Sequence, residues 1–187
     1  MIDYVLFEQA KVERPEVLLF TLEEFRQRRD IIESFQSGPV GIDFEANTYD
    51  YMAPDFYVRT IGIANDEYTV AIDFLDADQQ VLEQFKLWLL GLQFVAHNAC
   101  FECGTLLTWA GDMGKPICDT QIVFSDLACE YNRPHSLAVG MEDLLGQQKE
   151  GDSVKEYMKA NKWTWADVKK FDFNILGYYN AIDAWGC

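Results

Sequence analysis

An α/β fold built on a mixed sheet is predicted by this sequence of 187 residues, and three observations predict it. Runs at Val40–Phe44, Val58–Ala64 and Glu67–Phe74 have strand character and are separated by turn-forming residues. Apolar residues then recur at helical spacing, in segments that alternate with further short apolar runs. Hairpin-like strands followed by alternating helix and strand give a central mixed five-stranded sheet with helices on both faces. A hydrophobic content of 49% with 14% aromatics suits a chain that buries a substantial core, and one domain over residues 1–187 is expected.

In chain order, residues 1–14 read as a loosely ordered lead-in, and Leu18–Phe20 as a short strand. Thr21 suits the N-cap of a helix running to about Phe35, with Glu23 and Glu24 in its first turn and Gly38-Pro39 ending it. Three strands follow, with Asn65-Asp66 as a tight turn between the second and third. Val81, Leu82, Phe85 and Leu89 mark a helix over Asp78–Leu90. Phe94–Ala96 is a short buried strand, and Asn98 is the expected cap of a helix to Ala110. Ile117-Cys118 is the fifth strand, and Asp119 opens a helix through Glu130. From Ser136 onward the spacing is helical, over about 136–145, 153–160, 164–170 and 173–185.

The formal net charge of −16 argues against broad, non-specific binding of nucleic acid. All of it resides in residues 1–148; residues 149–187 carry 6 acids and 6 bases and are neutral. Contact with a polyanion therefore falls to that C-terminal third, to a metal, or to a neighbouring domain. No 18-residue apolar run suggests a membrane span, and the N-terminus lacks the pattern of a signal peptide, which makes the cytoplasm the default location. Five cysteines without framework spacing suit a reducing compartment.

Three segments carry chemistry. In Gly41-Ile42-Asp43-Phe44-Glu45-Ala46 the two carboxylates lie two apart on a strand and so share a face. Crowded, buried carboxylates repel, and a metal ion is the usual compensation. His97-Asn98-Ala99-Cys100-Phe101-Glu102 follows the fourth strand, where open sheets bind ligands, and Asn98 and Glu102 share one helix face. In Tyr178-Tyr179-Asn180-Ala181-Ile182-Asp183, a phenol and a carboxylate four apart face the same space. Each segment alone has a bland reading: a cap and a solvated acid for the second, a half-buried aromatic beside a surface acid for the third.

Together these segments resemble the DEDD superfamily of 3′–5′ exonucleases, in the subtype with tyrosine in its last motif, and especially the proofreading domains of family-A DNA polymerases of phage type. His135-Ser136-Leu137 adds to the likeness. The resemblance implies a ribonuclease-H-like fold and a metal-dependent enzyme that removes nucleoside 5′-monophosphates from the 3′ end of single-stranded DNA. It implies two Mg²⁺ or Mn²⁺ ions held by Asp43, Glu45, Glu102 and Asp183. Asp43 would bridge the ions, Glu45 and Asp183 would complete the first ion's shell, and Glu102 would support the second. Tyr179 would orient the attacking water with Glu45, while Tyr49, His97, Asn98 and Phe101 would line the path of the terminal nucleotides. A polymerase domain, in the same chain or another, is the implied partner, and a stand-alone nuclease is the other possibility. The family usually has Asp where this chain has Glu102. Only four residues follow Asp183, so it is expected on a fraying turn of a truncated helix.

Other readings stand beside this one. An RNase D-like RNA exonuclease would carry nearly the same motifs, and an exonuclease fold used as a scaffold would be expected to lose one of the acids. Cys100 and Cys103 raise a structural zinc, but they fall inside a predicted helix and no second Cys-x-x-Cys exists. The aromatics and lysines from Tyr157 to Lys170 suit either stacking on single strands or an inward-packed helical pair.

Overall fold

The computed structural model describes residues 12–128, 134–147 and 153–187. Six strands form one sheet: β1 (Val17–Thr21), β2 (Val40–Ala46), β3 (Val58–Ala64), β4 (Thr69–Asp73), β5 (Gln93–Ala96) and β6 (Lys115–Asp119). Their order is β1-β4-β3-β2-β5-β6. β3 runs antiparallel to both β2 and β4, while β1 pairs parallel with β4, β5 with β2, and β6 with β5. The sheet is mixed, as expected, but has six strands because the run at Leu18–Phe20 joins it beside β4. The β3–β4 turn is closed by Asn65, whose Oδ1 accepts from the backbone N–H groups of Glu67 and Tyr68 at 3.0 and 2.8 Å.

The segment expected as one helix to Phe35 forms two, α1 (Leu22–Phe25) and α2 (Arg29–Gln36). Leu22 and Phe25 are buried, and so are Ile31 and Phe35. Six residues separate Phe25 from Ile31, about 240° around a continuous helix, so an unbroken helix would turn one pair away from the core. The non-helical Arg28 (φ −91°, ψ 72°) re-aims the second pair inward. Thr21 caps α1 as predicted, in a reciprocal box with Glu24.

Helix α3 (Gln79–Leu89) is capped by Asp78, whose Oδ1 accepts from Gln80 and Val81 N–H. Helices α4 (Ala99–Ala110), α5 (Thr120–Ala128), α6 (Leu137–Leu145), α7 (Ser153–Asn161) and α8 (Phe173–Gly186) complete the set. The expected extension of α5 to Glu130 and residues 1–11 of the expected lead-in over 1–14 fall outside the described residues. Trp165–Lys170 is helical, but as a 3₁₀ segment boxed by Thr164 and Asp167.

Strand alternation assigns the two faces. On β2, Phe44 meets Trp109 of α4 edge-on, with ring centroids 5.8 Å apart. Gly41, on the other face, meets Ala184 of α8. One core therefore joins Ile42, Phe44, Phe74 and Phe94 to Phe25, Phe85 and Leu106 of the first four helices. The other face of β1–β4 is covered by α8. A smaller aromatic cluster holds Tyr57, Tyr157, Trp163, Trp165, Phe171 and Tyr179.

Candidate active site

Asp43 and Glu45 do share a face, and that face is the one under α8. Strand β2 pairs antiparallel with β3, with a register shift between Glu45 and Ala46, and parallel with β5 through Val40 and Gly41. Helix α8 reaches it because two strand positions lack a side chain. A Cβ on Gly41 would overlap the Ala184 carbonyl, and one on Gly62 would overlap the Asn180 carbonyl. Gly62 lies directly opposite Asp43 in the β2–β3 register. The helix thus rests on bare backbone beside the first carboxylate, a close approach of the kind glycine in a strand permits.

The consequence is a cluster. Carboxylate oxygens of Asp43, Glu45 and Asp183 all lie within 4.8 Å of one another. Glu45 and Asp183 are buried, at 8% and 5% exposure. Asp183 is not on a loose end: α8 runs to Gly186, and the Cys187 thiol hydrogen-bonds the Asp183 carbonyl at 3.1 Å. The Tyr179 phenol hydrogen-bonds the Asp183 side chain. Burial first, then the charges of Asp183, Glu45 and Asp43, push the Tyr179 phenol well above its ordinary value. It keeps its proton throughout the neutral range.

Glu102 sits in the first turn of α4, 2% exposed, and its Oε2 has no hydrogen-bond partner among the described residues. Burial and the nearby Asp43 push it up to about 9. A buried carboxylate oxygen without a partner, near Asp43 of the three-carboxylate cluster, fits a cation. The donor set is all oxygen, which suits Mg²⁺ or Mn²⁺ over softer ions. Among the described residues this is also the metal-capable group, and no cysteine belongs to it.

The residues expected along the substrate path divide. Tyr49 is 73% exposed and packs edge-on against Phe101 at 5.7 Å. Partial desolvation, then Glu45, Asp43 and Asp183, raise its phenol, which places it at the carboxylates. Its loop is closed at the neck by Asn47, whose Oδ1 accepts from Tyr57 N–H at 2.7 Å and whose Nδ2 donates to the Asp55 carbonyl at 2.9 Å. The loop then lies along α4, with Tyr51 against Gly104.

Asn98 does not cap α4 with its side chain; it is left-handed, at φ 68° and ψ 54°. Asp119 at the end of β6 does the capping, accepting from the N–H groups of Asn98 at 3.0 Å and Ala99 at 2.9 Å. The Asn98 side chain is thereby exposed beside the site. His97 is engaged structurally: Nδ1 meets the Thr120 hydroxyl and Nε2 donates to the His135 carbonyl, each at 3.1 Å.

The aromatics between Tyr157 and Phe171 pack on one another, with Trp163 stacked on Phe171 at 5.7 Å. Lys169 lies over the Tyr57 ring at 4.1 Å. Sequence reasoning missed Asn180, which hydrogen-bonds Asp43, and Asp119. The only signals were a polar residue inside the Tyr-x-x-x-Asp spacing and an acid just before a predicted helix.

Comparison with known proteins gives the family and the fold. The family model described as 3′–5′ exonuclease matches residues 20–185. No curated protein sequence matches the chain. Among solved structures, Brucella melitensis NrnC bound to pGG superposes with a TM-score of 0.62 at 18% identity, over 91% of this chain and 75% of that one. Trypanosoma brucei RNase D in complex with RNA U12 gives 0.65 at 15%, over 90% and 60%. Escherichia coli RNase D gives 0.58 at 18%, over 93% and 42%. At these identities the structures establish the shared fold.

Proposed function

We propose that this chain, which belongs to the 3′–5′ exonuclease family, hydrolyses single-stranded DNA from the 3′ end and releases nucleoside 5′-monophosphates. The observation that carries the reading is the meeting of Asp43, Glu45 and Asp183 within 4.8 Å, with buried Glu102 beside Asp43. Residues 1–187 are read as one exonuclease domain, serving either as a proofreading unit beside a polymerase domain or alone.

Asp43, Glu45, Asp183 and Glu102 would hold two Mg²⁺ or Mn²⁺ ions, which when bound supply charge neutralisation at the phosphate and a more acidic water. The chain's own residues do the positioning. Because Tyr179 keeps its proton and gives it to Asp183, its oxygen can accept from a water and so orient it, and the phenol does not act as a base. Glu45, on the same face, is the acceptor available to align that water. Tyr49 and Phe101 offer an aromatic corner on which a terminal base can stack. Asn98, exposed at the start of α4, lies on the same rim, while His97 ties β5 to the segment before α6.

A second reading, an RNA 3′ exonuclease, is favoured by a specific observation: two of the structural neighbours named above are RNase D. No helix among the described residues is long and apolar enough to cross a membrane. The test is digestion of 5′-labelled DNA and RNA of matched sequence with Mg²⁺, with Mn²⁺ and with EDTA, beside Asp43→Ala. A metal-dependent ladder shortening from the 3′ end, absent in the variant, is expected, and the DNA-to-RNA rate ratio chooses the substrate. An Asp43→Ala protein with full activity would sink the site assignment. No digestion under any condition would favour a scaffold role.

A further inference from the structure

The Asn180 amide is fully buried, at 0% exposure, and lies between the two halves of the site. Its Nδ2 donates to Asp43 Oδ2 at 2.7 Å and to the Asp43 backbone carbonyl at 3.0 Å. Its Oδ1 accepts from the Thr60 hydroxyl at 2.9 Å. Thr60 is on β3, opposite Glu45 in the register, and is itself fully buried. The opposite amide orientation would set Oδ1 against the Asp43 carboxylate, so chemistry fixes which end faces the acid.

Those three bonds do different things. The bond to the Asp43 carbonyl fixes α8 against β2, and the bond to Oδ2 fixes the carboxylate's rotation. The Thr60 hydroxyl keeps the amide from turning over. Asn180 follows Tyr179 and precedes Asp183 by three residues, so the same helical turn carries all three groups. A displaced Asp43 carboxylate would also lose its relation to Asp183.

We propose that Asn180, locked by Thr60, is the positioning residue that sets the Asp43 carboxylate for cation binding. This rests on the exonuclease reading only for its kinetic consequence; its binding consequence is independent of any substrate. Asn180 touches neither the reacting phosphate nor the water, and acts through Asp43. The cost of a loosely held ligand appears as weaker cation affinity and a slower chemical step, with substrate binding little changed, because base stacking on Tyr49 and Phe101 does not use the Asp43 carboxylate.

The experiment measures Mn²⁺ affinity of the substrate-free chain by calorimetry, together with kcat, KM and thermal stability, for wild type, Asn180→Ala, Thr60→Val and Thr60→Ser. Expected for Asn180→Ala is a Mn²⁺ affinity at least about 10-fold weaker and a kcat about 100-fold lower, with KM within about twofold. Thr60→Val should move both in the same direction by less, and Thr60→Ser, which restores the hydroxyl, should return both to wild type. A folded Asn180→Ala or Thr60→Val with unchanged Mn²⁺ affinity overturns the proposal. So does a Thr60→Ser that behaves like Thr60→Val. Should Asn180→Ala fail to fold, the two Thr60 variants decide. Wild type that binds Mn²⁺ but digests neither DNA nor RNA would refute the exonuclease reading alone, and the calorimetry would still judge Asn180.

Discussion

Placing a methyl group at Gly62 should separate the two halves of the site without touching any acid. The added Cβ would overlap the Asn180 carbonyl oxygen, lie 2.8 Å from the Asn180 carbonyl carbon and 3.0 Å from Ala184 Cβ. Ordinary contact begins near 3.4 Å, and the overlapping oxygen is the closest of the three atoms, so α8 must back away by about 1 Å at this turn. Strand β3 cannot yield instead, because it is paired on both edges. The Asn180–Asp43 bond, now 2.7 Å, would stretch to roughly 3.7 Å, beyond hydrogen-bond reach. Overpacking of this kind costs about 1–3 kcal/mol, or a fall in Tm of about 2–12 °C for a chain of this size. A misplacement approaching 1 Å costs up to about 100-fold in rate. Gly62→Ala should therefore fold, melt lower, and turn over about 10- to 100-fold more slowly at saturating Mg²⁺. Gly38→Ala is the control, since nothing lies within 4 Å of the added carbon; it should change stability by less than about 0.5 kcal/mol. Single-turnover digestion and thermal melts measure both. A Gly62→Ala protein with wild-type rate and Tm would refute the claim that bare backbone lets α8 reach β2.

Glu102 gives a pH dependence. Its folded-state value, raised from 4.5 to about 9, means the folded chain binds a proton more tightly than the unfolded one across that window. Metal-free stability in EDTA should thus decline as pH rises from about 4.5 to about 9, and Glu102→Gln should flatten the decline; calorimetric melts that show no difference between the two proteins would contradict this. Asp119→Ala removes an acceptor from three backbone N–H groups, those of Asn98, Ala99 and Gln121. It should cost about 2 kcal/mol, read by urea unfolding, while Asn98→Ala, which removes no cap but puts alanine in the left-handed region, should cost about 1 kcal/mol. Asn47→Ala opens the neck of the Tyr49 loop and should raise KM severalfold with kcat little changed; an unaltered KM would detach the loop from substrate binding.

Much of the site was legible before any fold was known. The two-residue period of a strand places Asp43 and Glu45 together, and the four-residue step of a helix places Tyr179 beside Asp183, as the Tyr179–Asp183 hydrogen bond bears out. Strand and helix segments, the Thr21 cap and the Asn65 turn are local matters too, written in neighbouring residues. The break in the first helix was encoded in the spacing of Phe25 and Ile31, but it becomes visible only when both must face one core. The Asp119 cap on α4 could not be read locally, since donor and acceptor are about 20 residues apart and meet only because β6 pairs with β5. Nor could local spacing bring Asp183 to Asp43. Those residues are 140 apart in the chain, and their meeting depends on α8 settling where Gly41 and Gly62 leave the sheet bare, with Asn180 bonding across the gap. Periodicity determines which side chains share a face. Which faces then touch is a matter of steric fit between distant segments, and in this chain two absent side chains supply that fit.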